Sequence, residues 1–206
     1  MIEQRCFLCA PDARLVVQEM SSCFAMVGLG PLTSTFCLMG CRTHERSLAD
    51  LALTDPGAIR ELEKFRLQMQ SHFGDLLLTE HGRVPICRDD GDDHEQHCFH
   101  AHCLLFKCTG SVEEDASTYY SDMNEFTNLQ AALKFAASHE QYLLISPSPS
   151  RVLVLSEPLN APRQLVRHLV AIRDGNAHLA DWRDAPNYEL AIGMANHLKE
   201  RLKGLE

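Results

Sequence analysis

The apolar positions in the first part of the chain fall into short runs broken by turn residues. "RLVVQEM" (14–20) and "CFAMVGL" (23–29) are strand-length runs with Ser21 and Ser22 between them, a hairpin pattern. "PLTSTFCLMGC" (31–41) adds a turn and a third apolar run. The spacing then changes. "TDPGAIRELEKFRLQMQSHF" (54–73) predicts a helix with Asp55 as N-cap and Pro56 at the first helical position. Ile59, Leu62 and Phe65 form its apolar stripe and Gly74 closes it. "DLLLTEHG" (75–82) predicts a strand, and the polar "RDDGDDHEQ" (88–96) a solvated connection without EF-hand spacing. "HCFHAHCLLF" (97–106) reads as a further strand. Alternation would set Cys98, His100, His102 and Leu104 on one face, with Phe99, Ala101, Cys103 and Leu105 on the other.

Beyond Gly110, "EFTNLQAALKFAASH" (125–139) has helical spacing. "QYLLIS" and "RVLVLS" predict paired strands across the turn "PSPS". "APRQLVRHLVAI" (161–172) and "YELAIGMANHLKERLKGL" (188–205) predict two more helices. No internal repeat is present. The 206 residues suffice for one substantial core with an extension. Residues 1–110 are expected to form the core domain and 111–206 an extension packed on it.

Composition narrows the function classes. A formal net charge of −9 argues against a nucleic-acid polymer as partner, though not against a nucleotide-sized ligand. No apolar run approaches membrane-spanning length. The start, "MIEQRCFLCAPD", reads without a secretion signal, so the cytoplasm is the expected location and no membrane partner is expected. Nine cysteines, odd in number and unevenly spaced, favour free thiols with a metal site over a disulfide framework.

The histidines of 97–106 call for chemistry, because imidazoles are unusual in a buried strand. Cys6 and Cys9 have the C-x-x-C spacing that grips one zinc ion and leaves two ligand positions. His44, and His100 or His102, are candidates for them. A local cluster of His97, Cys98, Cys103 and Cys108 competes, but strand alternation turns Cys98 and Cys103 to opposite faces.

In their order, "CFLC" (6–9), "CFAMVGLGPLTSTFCLMGCRTH" (23–44), "ERSLADL", "EHG" (80–82) and "HCFHAHCLL" (97–105) resemble the histidine-triad (HIT) superfamily. "RQLVR" and "DWRDAPNYELAIGMANHL" are similar to the C-terminal extension of its longer bacterial members. The resemblance implies an α+β fold: a HIT-like antiparallel sheet with helices, plus a C-terminal hairpin and helical extension. It implies a structural zinc held by Cys6, Cys9, His44 and His100, with His102 as the nucleophile. It also implies a homodimer, to which the apolar helix 56–73 adds only weak support. Gln164 and Arg167, three apart on one helix face, would approach the pocket, where Arg167 could pair with a phosphate. His97 is a candidate substrate contact. The expected substrate is a phosphorylated or nucleotide-like small molecule.

The departures from the family pattern bear on chemistry. Leu104 takes the third triad position, where a histidine or glutamine would stand. Gly28 stands where relatives commonly carry an aspartate for the ribose hydroxyls. Thr35 and Phe36 replace a common Gly-His pair, and Gly40 and Cys41 an Ile-Pro. Trp182 and Arg183 are expected to anchor apolar surface, and Glu80 and His81 receive no catalytic step. The expected activity is hydrolysis or transfer of a nucleotidyl or phosphoester group through a covalent intermediate on His102. The alternatives are a noncatalytic binding protein, or a metal-dependent enzyme built on the repurposed histidines.

Overall fold

Ser21 and Ser22 turn the chain between β1 (Val16–Glu19) and β2 (Cys23–Met26), which pair antiparallel. β3 (Cys37–Cys41) continues the meander with Ala25 opposite Met39. The computed structural model describes residues 6–85 and 99–203, so His97 and the acidic segment 88–96 lie outside the described residues. Among the described residues, eight strands form one antiparallel sheet in the order β1-β2-β3-β5-β4-β7-β8-β6, and six α-helices complete a mixed α+β fold.

The short helix α1 (Leu48–Thr54) is capped by Ser47, whose side chain accepts from the Asp50 N–H. α2 (Pro56–Phe73) begins as its sequence predicts: Asp55 accepts from the Gly57 and Ala58 N–H groups, and Gly74 ends the helix at φ 79°. Ile59, Leu62, Phe65 and Met69 of α2 are buried in the core, so the stripe that gave the homodimer its weak support is used internally. β4 (Leu77–Gly82) and β5 (His102–Phe106) follow. β5 is shorter than its sequence suggests, and His100 precedes it in irregular backbone.

The sheet runs through residue 110 without a break. β4 pairs with β5 on one side and with β7 (Tyr142–Ser148) on the other, so the hairpin of β7 and β8 (Arg151–Pro158) extends the same sheet. Between them come the short helix α3 (Glu113–Ser117), then β6 (Tyr120–Phe126), which pairs with β8 at the sheet edge. β6 corrects the helical reading of 125–139: Glu125 and Phe126 are strand, and helix α4 (Leu129–Ala136) starts at the Asn128 cap. α5 (Leu165–Arg173) and α6 (Tyr188–Leu202) complete the fold.

Two apolar clusters lie against the sheet. One joins Met39, Leu78, Cys103 and Leu105 to α1, α2 and α4. The other joins Phe36, Phe106, Leu143 and Ile145 to α3 and α5. Among the described residues no helix is long and apolar enough to cross a membrane.

Candidate functional site

Cys6, Cys9, His44 and His100 converge, with one ligand atom from each lying within 4.8 Å of all the others. Cys9 Sγ is 3.0 Å from His44 Nδ1, and Cys6 Sγ is 3.3 Å from His100 Nδ1. The imidazoles meet edge to face with centroids 5.0 Å apart. The backbone places each donor. Cys9 N–H donates to Cys6 O, closing the C-x-x-C turn. Ala101 N–H donates to Glu45 O, drawing the His100 segment against that of His44. His100 Nε2–H donates to the Cys41 carbonyl at 2.7 Å, which fixes the tautomer and leaves the Nδ1 lone pair toward the cysteines. Burial pulls the His100 imidazole down to about 4, so it is neutral near pH 7. Cys41 is no further ligand. Its thiol lies 2.9 Å from the Thr43 carbonyl, and burial pushes it up to about 11. The four-residue group could hold a metal ion. None of the seven described cysteines is in a disulfide.

Beside this cluster a cavity of about 490 Å³ opens on the sheet face that carries Leu38, Thr79 and Leu104. Strand register builds its floor: Leu104 pairs with Leu38 on one side and Thr79 on the other, and His102 pairs with Gly40. His81, paired with Leu143, lines the same cavity as His102. His102 Nδ1–H donates to the His100 carbonyl at 2.7 Å, so Nε2 keeps its lone pair. Burial also lowers the His102 pKa, against the opposing pull of that carbonyl. Thus His100 faces the sulfur ligands, and His102, two residues on, lines the cavity.

No family model matches the chain, and no curated protein matches it. A solved structure with some similarity is that of a Hit-like protein involved in cell-cycle regulation from Bartonella henselae, which holds an unknown ligand. It is 15% identical, and the match covers 48% of this chain and 71% of that chain with a TM-score of 0.34. A likeness of that size carries no argument, so the site is read from its own residues.

The two α5 candidates have different surroundings. Gln164 lines the cavity as the left-handed N-cap of α5. Its Nε2 donates to Asp181 at 3.3 Å, while Oε1 is buried without a partner. Arg167 also lines the cavity but is almost fully buried. Its Nη2 donates to the carbonyls of Gly30 and Leu179, and its Nε to that of Ala180. The guanidinium lies over the Phe36 ring, 5.1 Å from the centroid. These contacts join the β2–β3 connection to the segment after α5. Gly30 N–H completes the joint by donating to Pro186 O at 2.7 Å.

His81, given no role by the sequence, acquires a position here. Its Nε2 lies 3.1 Å from the Tyr120 hydroxyl, its Nδ1 is buried without a partner, and burial pulls it down to about 4. The polar strand β6 supplies Tyr120, and that long-range pairing left no signal around "EHG". Glu80 is structural: it accepts from the Leu48 N–H at the start of α1 and from the Tyr142 hydroxyl, both at 2.6 Å. Trp182 packs against Phe7 with ring centroids 6.1 Å apart and the planes tilted by 54°, and both line the cavity. Arg183 pairs with Asp181.

Proposed function

We propose that this chain is a HIT-like hydrolase or transferase that acts on small phosphoesters through His102, with a structural zinc ion beside the site. The observation that carries the reading is the division of labour between His100 and His102. His100 presents Nδ1 to two thiols, whereas His102 ties Nδ1–H to a backbone carbonyl and keeps Nε2 for a ligand of the cavity. Two thiolates and two imidazoles suit tetrahedral zinc, and a closed set of four leaves no position for substrate. Zinc held there ties the N-terminal segment to the start of β5.

The chemistry follows from the His102 tautomer. Nε2 gives its lone pair to phosphorus, and the Nε2–P bond forms as the bond from phosphorus to the leaving group breaks. The leaving group takes that electron pair. The positive charge gained by the ring is shared through Nδ1–H with the His100 carbonyl. Water then attacks phosphorus and gives its proton to solvent. The Nε2–P bond breaks and returns the pair to His102. Leu104 has no proton to give, so leaving groups that depart as stable anions react fastest.

The test uses chromogenic phosphodiesters with p-nitrophenolate as leaving group. The His102→Ala variant should release none while retaining about one zinc per chain, as a separate structural site requires. Full activity in that variant would overturn the mechanism. A second reading, a noncatalytic binding protein, is favoured by the apolar floor around Leu104. It prevails if the wild type binds such esters tightly and cleaves none.

A further inference from the structure

We infer that the body of the substrate is an apolar ring or hydrocarbon group in place of a ribonucleoside, joined to the phosphoester end, and that Phe36 sets this preference. The inference rests on the phosphoester reading above for the charged end only. The apolar end stands on the cavity itself.

The walls come first. Phe7, Met26, Phe36, Leu38, Leu104 and Trp182 are among the apolar side chains that line the space beside His102. A sugar placed there would lose water from its hydroxyls and needs side-chain partners for them. The two carboxylates that line the cavity are committed elsewhere. Asp12 is bound by Arg14 and by the Tyr188 hydroxyl, which hold it well below the usual carboxylate range. Glu80 is bound by the Leu48 N–H and the Tyr142 hydroxyl. No new carboxylate fits at Gly28, because a Cβ there would stand 2.8 Å from Cε1 of Phe36. The Phe36 ring itself is buried against Phe106, with centroids 5.7 Å apart, and under the Arg167 guanidinium. Its place is therefore fixed, and it closes the region a sugar-binding side chain at position 28 would occupy.

The charged end is small. Of the two arginines lining the cavity, Arg167 gives three hydrogen bonds to backbone carbonyls. Arg163 acts electrostatically on His81, the neighbour of His102 on the floor. With the Arg167 guanidinium held by those carbonyls, the charged end finds few side-chain donors on this side of the cavity. The buried, unpartnered atoms Thr79 Oγ1 and His81 Nδ1 belong to residues lining the same cavity and are the ones able to donate to a phosphoryl oxygen, whereas the unpartnered Gln164 Oε1 can only accept.

The experiment compares two monoanionic diesters, diphenyl phosphate and thymidine 5′-phenyl phosphate, by calorimetry on the wild type and on His102→Ala. Diphenyl phosphate is expected to bind about tenfold more tightly or better, the scale on which an apolar pocket discriminates by size and hydroxylation. Equal or tighter binding of the thymidine ester overturns the inference. Phe36→Leu keeps an apolar side chain and removes the ring; with folding checked by its melting curve, it should narrow the ratio several-fold. An unchanged ratio removes Phe36 as the determinant. The matching p-nitrophenyl esters separate this inference from the enzymatic reading. Tight diphenyl phosphate binding without turnover defeats the enzyme and leaves the ligand class standing. Cleavage that depends on His102 and favours the thymidine ester does the reverse.

Discussion

Replacing Arg167 with methionine tests whether its guanidinium serves the fold or the ligand. Methionine keeps most of the apolar stem and removes all the donors. Three carbonyls then lose their partners: those of Gly30 at 2.8 Å, Leu179 at 3.0 Å and Ala180 at 3.2 Å. Each buried acceptor left unmet costs roughly 1–3 kcal/mol. The loss of the contact over Phe36 adds about 1 kcal/mol. Relief from burying a cation offsets part of the total. Burial already pulls Arg167 down to about 10, so that cost is real, although the group stays charged at neutral pH. The net loss is about 3 kcal/mol, which for a domain of this size lowers Tm by roughly 6–12 °C. Calorimetric melting at pH 7 measures it, and Arg167→Lys, able to reach fewer carbonyls, should fall between. A Tm within about 3 °C of the wild type, the shift of only ~1 kcal/mol, would refute the reasoning. So would an intact Tm with lost affinity for a phosphodiester, because the guanidinium would then face the phosphate as the family resemblance implies.

Three further outcomes follow from the same structure. Cys9→Ser should lose the metal and, because metal binding is coupled to folding, melt well below the wild type, whereas His102→Ala should keep its metal by elemental analysis. Trp182 is the single tryptophan and packs on Phe7, which lies between Cys6 and Cys9; chelation should therefore shift its fluorescence to the red, and unchanged emission from protein shown to be metal-free would refute the coupling. Burial raises Glu80 from 4.5 to about 8, so the folded state holds its proton more tightly; that contribution is complete below about pH 4.5 and is lost as pH rises through 8. Glu80→Gln should flatten urea-measured stability across that window, and parallel pH profiles for the two proteins would count against it.

The cysteine–histidine cluster was legible in the sequence because its chemistry is carried by a few residue types at fixed spacing. C-x-x-C leaves two ligand positions open, and the family resemblance implied His44 and His100 for them, the pair the fold brings to Cys6 and Cys9. The helix α2 was legible because its cap, its first proline and its closing glycine agree. The strand β6 was not. Only Tyr120 of its seven residues is buried, because it lies at the sheet edge, and "EF" was absorbed into the following helical pattern. His81 was invisible for a related reason. Its significance depends on β4 lying between β5 and β7 and on Tyr120 reaching it from the far edge. Arg167 shows another limit: three-residue spacing gives a shared helix face, but not which acceptors the guanidinium finds.

Gly28, Phe36 and Leu104 read along the chain as separate departures from the family pattern, each a loss. In the fold they line one cavity, and they constrain one another. The ring of Phe36 occupies the space a side chain at 28 would need, so position 28 cannot carry one while that ring stays. Leu104 packs on the cluster that contains Phe36, and it pairs across the strands with Leu38, another apolar wall residue. Here the apolar residues pack together, and the unpartnered polar atoms of Thr79, His81 and Gln164 belong to the residues around His102. On the phosphoester reading, that apolar wall would hold the body of the substrate and those polar groups would lie beside the phosphoryl chemistry.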